Sequence, residues 1–172
     1  VIVIGIDNGL DGGIVAIASD GLLISSVTPT LGTGKRSYDV QHMADTLRDV
    51  VDANAGGDCM AFLERAQAMP GQGVSSMFSI GFGFGIWQGL LTALRVPFEI
   101  VSPRKWQNEM FVGINRTDTK AASALVAQRL RPDVDWRASP RCRKPHDGLT
   151  DAYCIAEYGR RNFASFVPML AG

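Results

Sequence analysis

The chain has 172 residues, 46% of them hydrophobic, with 17 basic and 17 acidic side chains and a net charge of zero. That length suits one domain spanning residues 1–172, and that apolar share excludes a disordered tail. The neutral total excludes a uniformly basic nucleic-acid binder but hides an asymmetry: residues 1–102 hold five basic and ten acidic groups, and residues 103–172 hold twelve and seven.

In chain order, Val1 to Asp7 is an apolar run ending in a carboxylate, and Gly9, Gly12 and Gly13 supply the turn into a second run, Ile14 to Ser19. Asp20-Gly21 makes a further tight turn into Leu22 to Pro29, which predicts three consecutive antiparallel strands. A polar, glycine-containing connection with Lys35-Arg36 follows. Val40, Met43, Ala44, Leu47, Val50 and Val51 then recur at helical spacing, predicting a helix from about Asp39 to Ala53 that Gly56-Gly57 stops. Cys59 to Glu64 is another apolar strand ending in a carboxylate, followed by a loop from Ala66 to Gly73 and a helix over 75–94.

From Ala66 to Leu94 there is no charged residue, the composition of a membrane span. Five glycines between 73 and 89, with Ser75, Ser76, Ser79 and Gln88, make a poor lipid-facing surface, so burial within protein is expected and no membrane partner. Gly81, Gly85 and Gly89 share one helix face, and Phe78, Phe82 and Ile86 form another. The glycines cost helix stability, about 1 kcal/mol each. They therefore imply a close backbone approach, by the chain's own sheet or by a second subunit.

Pro97 to Ser102 reads as a fifth strand, Pro103 to Phe111 as a short helix, and Thr117 or Asp118 as the cap of a helix reaching about Leu130. An arginine-rich loop leads to a last helix from near Asp147 to Arg161. Three hairpin strands followed by alternating strands and helices predict an α/β fold with a five-stranded mixed sheet flanked by helices.

Cys59, Cys142 and Cys154 are odd in number and widely spaced, which fits neither a disulfide framework nor a Cys-x-x-Cys zinc site. A reducing, intracellular compartment is expected, with Cys59 and Cys154 as small core residues. No charged segment with a short apolar run opens the chain, so no secretory signal is expected. The start at Val1, without methionine, suggests a trimmed chain.

Asp7 and Glu64 end two strands at the edge where α/β folds gather ligands, and Asp147 and Asp151, four apart, share a face at the start of the last helix. If that helix crosses the same edge, four carboxylates converge. Like charges at close range oppose one another's ionisation, so such a cluster calls for a cation. All-oxygen ligands suit Mg2+, or Mn2+ in its place, and two such ions can drive in-line displacement at phosphate. Read singly, Asp7 is equally a turn residue, Asp147 a helix cap, and Asp151 a solvated helix residue.

The runs FLERAQAMPGQGVSSMFSIGFGFGIWQGLL, from Phe62 to Leu91, and RCRKPHDGLTDAYCIAEYGRR, from Arg141 to Arg161, resemble RuvC-family Holliday junction resolvases, in particular their phage and plant chloroplast branch. The likeness of motif and order extends over nearly the whole chain. It implies a ribonuclease H-like fold, a homodimer, and metal-dependent paired nicks at a four-way DNA junction, with no small-molecule cofactor. The family's acids match Asp7, Glu64, Asp147 and Asp151. Bacterial members separate the last two by two residues, whereas three intervene here, so His146 is an alternative to Asp147.

Lys105 and Lys120 resemble positions where the family sets lysines beside the cleaved phosphate. Lys35, Arg36, Arg141, Arg143 and Lys144 are expected on backbone phosphates. Gln67 and Met69 lie in the loop that faces the junction centre in this family and are candidates to unstack bases there. The plant branch would place the protein in a chloroplast, with a trimmed transit peptide expected before Val1; the others would place it in the cytoplasm of a bacterium or phage-infected cell.

Three other readings compete. The opening Gly5-Ile6-Asp7-Asn8-Gly9 is similar to the phosphate-binding hairpin of actin-like ATPases, which clasp nucleotide between two related domains; this chain shows no second copy. A junction-binding protein without chemistry would keep the fold but need none of the four acids. An RNA-hybrid hydrolase would use the same fold on a different substrate.

Overall fold

The computed structural model describes residues 1–21, 23–54, 56–67, 71 and 73–162. Strands β1 (Ile2–Asp7), β2 (Gly13–Ala18) and β3 (Leu23–Val27) form an antiparallel meander. Two further strands, β6 (Cys59–Glu64) and β7 (Phe98–Val101), add to β1 in parallel, giving the order β3-β2-β1-β6-β7. This is the predicted five-stranded mixed sheet. Between β3 and the first helix, β4 (Thr30–Leu31) and β5 (Ser37–Tyr38) form a small separate hairpin where the sequence suggested only a polar connection. Two residues on each side are too few to register as alternation.

Helices α1 (Val40–Asp52) and α2 (Val74–Ala93) cover one face of the sheet; α3 (Pro103–Met110), α4 (Thr119–Leu130) and α5 (Asp147–Asn162) cover the other. The period-2 rule divides β1 cleanly: Ile2, Ile4 and Ile6 pack with Met43, Leu47, Trp87 and Leu91, while Val3 packs with Trp106, Val126 and Ile155. Capping follows the sequence as well. Asp39 accepts from the His42 amide at 3.1 Å to start α1, and Asp118 rather than Thr117 starts α4, accepting from Ala121 at 3.0 Å.

What positions the site is the crossing of α5 over β1. Gly5 sits directly beneath the helix, where a Cβ would collide with the Ala152 carbonyl and the Ala156 amide. The small residues at 5, 152 and 156 let α5 lie against the central strand, and that contact carries the first turn of α5 to the C-terminal end of β1.

On α2 the structure revises the glycine reading. Gly83 is the buried one, because a side chain there would strike the Tyr38 ring. A Cβ at Gly81, Gly85 or Gly89 would meet none of the described residues within 4 Å. The chain's own sheet therefore does not fill that face, and Phe78 and Phe82, stacked on each other, stand 73% and 53% exposed beside it. Among the described residues, burial accounts for a stripe of α2 centred on Gly83, Trp87 and Leu91. Its length and composition would suffice to cross a membrane, with 17% of the apolar window buried. Cys154 is buried as expected, but Cys59 is only half-buried, with Asn54 3.4 Å from its sulfur.

Candidate active site

Strand register sets the first two acids. Ile6 pairs with Leu63 across the parallel β1–β6 ladder, so Asp7 and Glu64 occupy neighbouring strand ends. Asn8 tightens this junction: it is 2% exposed and its side-chain amide donates to the Glu64 carbonyl at 2.6 Å. The Tyr38 hydroxyl lies 3.2 Å from the Asn8 carbonyl and 3.1 Å from that of Ser79, so the small β4–β5 hairpin ties the strand ends to α2.

α5 brings the other two acids. The Asp151 carboxyl is pushed up to about 7, first by burial and then by the charge of Asp7, while the Ser123 hydroxyl and Lys120 pull it back. Glu64 rises to about 8 through burial and the nearby Asp7 charge, against the hydrogen bond it receives from Trp106. Asp7 rises to about 6, mainly through burial, although the Gly9 amide donates to it at 3.3 Å. Three acids thus disfavour one another's charge, as expected of a cluster without a cation. Asp147 adds to the repulsion felt by Asp7 and Asp151, but its own carboxylate is paired with Lys120 at 2.8 Å.

His146 and Asp147 play different parts. The His146 ring uses Nδ1 to accept from the Leu149 amide at 3.3 Å, so it serves the start of α5, and burial lowers its pKa. The Asp147 side chain, paired with Lys120, lines the cleft together with Asp7 and Asp151.

The cleft holds about 620 Å³ between the strand ends, the β4–β5 hairpin and the first turns of α2 and α5. Lys35, Arg36 and Lys120 line it, with Arg36 paired to Asp11 at 2.7 Å. A neighbouring depression adds Arg143 and Lys144 beside Lys120, His146 and Asp147. Arg141 is exposed on the same loop, and Gln67 is exposed just beyond β6. Met69 lies outside the described residues. Lys105 is not brought to the acids: its ammonium binds Glu99 at 3.0 Å and stands over the Tyr158 ring. Its neighbour Trp106 makes the contact instead, donating its indole N–H to Glu64 Oε1 at 2.9 Å.

Sequence reasoning missed Asp11, Asn8 and Trp106. Only Asp11 left a legible signal, as a second carboxylate in the turn after the β1 aspartate.

The donor set fits a hard divalent cation: all oxygen, partly desolvated, and mutually repelled. Among the described residues, however, no three His, Cys, Asp or Glu side chains stand close enough together to hold one ion. The acids share a neighbourhood without forming a closed ligand shell.

No protein-family model and no curated protein sequence matches the chain. Solved structures do. The chain is similar to Thermus thermophilus RuvC in complex with a Holliday junction substrate, with TM-score 0.59 and 16% identity over 96% of both chains. Thermus thermophilus RuvC on its own gives TM-score 0.57 and 19% identity, again over 96% of both chains. The yeast mitochondrial Holliday junction resolvase Ydc2 gives TM-score 0.58 and 16% identity, over 94% of this chain and 78% of the other. At such identities the likeness is one of architecture, and the chain has the ribonuclease H-like fold that these RuvC-type resolvases share.

Proposed function

We propose that the chain is a structure-selective DNA endonuclease that resolves four-way junctions by paired, metal-dependent nicks. The observation that carries this reading is the group of acids at the C-terminal edge of β1 and β6, each raised in pKa first by burial and then by a neighbouring carboxylate, and rimmed by lysines and arginines. A phosphodiester substrate suits both halves of that arrangement. The basic rim binds backbone phosphates without regard to sequence, and the acids supply hard oxygen ligands beside them. The fold's likeness to junction resolvases supports a four-way junction over plain duplex.

In this mechanism Asp7, Glu64, Asp147 and Asp151 would hold Mg2+ or Mn2+. A pair of such ions, when bound, supplies an activated water and charge neutralisation for in-line displacement at phosphorus. Lys120, already beside Asp147, is placed to exchange that carboxylate for a phosphate oxygen. Arg36 and Lys35 on the hairpin, and Arg143 and Lys144 on the loop before α5, grip the flanking backbone. Gln67, exposed just beyond β6, and Met69, close to it in sequence, would face the junction centre. Lys105 acts more remotely, since Glu99 and Tyr158 hold it.

A homodimer follows from the same reading. Symmetric nicks need two sites related by a two-fold axis. The exposed face of α2, with Phe78 and Phe82 beside the open glycine positions, fits a second copy better than solvent. The sequence likeness favours the phage and chloroplast branch, and the three free cysteines suit a reducing, DNA-containing compartment, such as a plastid in that branch.

The decisive experiment offers purified protein a labelled mobile junction, a duplex of the same sequence and a DNA–RNA hybrid, each with Mg2+ and with EDTA. Paired Mg2+-dependent nicks confined to the junction are expected. Binding without nicks would point instead to an inactive junction binder, and cutting of the hybrid to an RNA hydrolase.

A further inference from the structure

We propose that Trp106 is a positioning residue that orients the Glu64 carboxylate, engaging Oε1 with its indole N–H and leaving Oε2 as the ligating oxygen. The inference rests on the metal-dependent reading above and assigns a role to a residue which that reading does not need.

The placement starts from strand register. Glu64 pairs with Val101 at the end of the β6–β7 ladder, and the Arg65 amide donates to the Val101 carbonyl at 2.8 Å. β7 passes through Ser102 directly into α3, with Pro103 at its first position, so the first turn of α3 lies beside the end of β6. Trp106, one turn in, therefore reaches Glu64 across 42 residues of sequence.

The donor is rigid. Trp106 is 1% exposed, its ring meets Phe111 edge-on at 5.4 Å, and it packs in the cluster that includes Val3, Phe62 and Met110. Of the three indoles it alone meets a carboxylate. Trp136 donates to the Arg131 carbonyl at 3.4 Å, and Trp87 has no hydrogen-bond partner among the described residues.

Its chemistry suits the task. An indole offers one donor, no acceptor and no charge. A lysine or arginine in its place would neutralise Glu64 and compete with any incoming cation. The indole satisfies one carboxylate oxygen and fixes the plane of the group while leaving its negative charge uncompensated, which is how outer partners orient ligands at metal sites. Asn8 completes the arrangement by holding the Glu64 carbonyl, so backbone and carboxylate are both anchored by neutral donors.

The test uses the full chain and its three indole N–H resonances in a 1H–15N spectrum, with Trp106→Phe identifying the Trp106 signal. Titration with Mg2+ is expected to move that resonance and leave those of Trp87 and Trp136 in place, and Glu64→Gln is expected to abolish the movement. In Trp106→Phe, Mn2+ affinity by calorimetry should fall by about tenfold and kcat on the junction should fall with it, while junction binding in EDTA stays as in the unmodified chain. If the phenylalanine variant does not fold, a Glu64→Asn variant identifies the resonance by its altered shift, and the titration of the unmodified chain decides. A chain that cuts junctions with Mg2+ while its Trp106 signal stays still overturns the positioning role alone. Unchanged Mn2+ affinity in folded Trp106→Phe does the same. A chain that neither binds Mn2+ nor cuts overturns both this role and the nuclease reading.

Discussion

Replacing Glu64 by Gln should make the metal-free protein more stable at alkaline pH while abolishing cleavage. Glu64 is raised from 4.5 to about 8 in the fold. Between those values the folded state holds a proton that the unfolded chain releases, so this group's contribution to stability is greatest below about pH 4.5 and is lost as pH rises through about 8. At about 1.4 kcal/mol per factor of ten in the ionisation constant, the loss between roughly pH 5 and pH 9 is on the order of 3 to 4 kcal/mol. Gln has nothing to ionise, and its carbonyl oxygen can still accept from Trp106, so packing is kept. Urea denaturation in EDTA at about pH 5, 7 and 9 would measure this. The stability difference between variant and parent should be small at the acidic end and grow by about 3 kcal/mol toward the alkaline end. Parallel stabilities across the series would refute the argument that a buried, mutually repelling cluster sits at this strand edge. Saturating Mg2+ should remove most of the parent's alkaline deficit, because a ligand of the folded state alone stabilises it.

Gly5→Ala should destabilise the fold by about 3 kcal/mol or more, since the added methyl meets the Ala152 carbonyl and Ala156 amide rather than a yielding side chain; thermal unfolding would register it. Lys120→Met breaks an exposed ion pair with Asp147 and should shift stability by less than about 1 kcal/mol while slowing junction cleavage, a split that parallel melting and kinetic measurements would reveal. Removing both Arg143 and Lys144 should weaken junction binding and lower the slope of log affinity against log salt by about 2, without changing which strands are cut. Phe82→Asp should turn a dimer into a monomer in sedimentation; an unchanged dimer would show that the exposed face of α2 is not the contact.

Much of this could be read from the sequence because its signals are local. The turns at Gly12-Gly13 and Asp20-Gly21 delimit the three-stranded meander, the apolar recurrence over α1 reaches its cap at Asp39, and the two acid-terminated strands announce Asp7 and Glu64. What stayed hidden depends on partners distant in sequence. In an almost wholly apolar helix, glycine spacing cannot say which face meets the sheet, and Gly83 is identified only by the approach of Tyr38 from a hairpin too short to show a period. Lys105 drew attention through its resemblance to a family position beside the cleaved phosphate, yet the β6–β7 register sends Trp106 to Glu64 and leaves the lysine with Glu99. His146 and Asp147 are adjacent; what separates them is the capping contact of His146 to Leu149 and the ion pair of Asp147 with Lys120, both made only in the fold.

The neutral composition ceases to argue against a DNA partner once the charges are located. Asp11 and Asp147 lie at the mouth of the cleft, and each already engages a cation from the rim, Arg36 and Lys120. Lys120 and Asp11 are largely exposed and Asp147 and Arg36 are partly so, and exposed pairs contribute little, about 1 kcal/mol or less each. Exchanging such a pair for a phosphate contact therefore costs little. Arg143 and Lys144 stand exposed beside this group. The acidic first part of the chain supplies Asp7 and Glu64, the basic second part supplies Asp151 and most of the rim, and the crossing of α5 over β1 at Gly5 brings the two together. A protein of zero net charge thereby presents an acidic floor and a basic border at one end of its sheet, and it is this local distribution, not the total, that a phosphodiester backbone would meet.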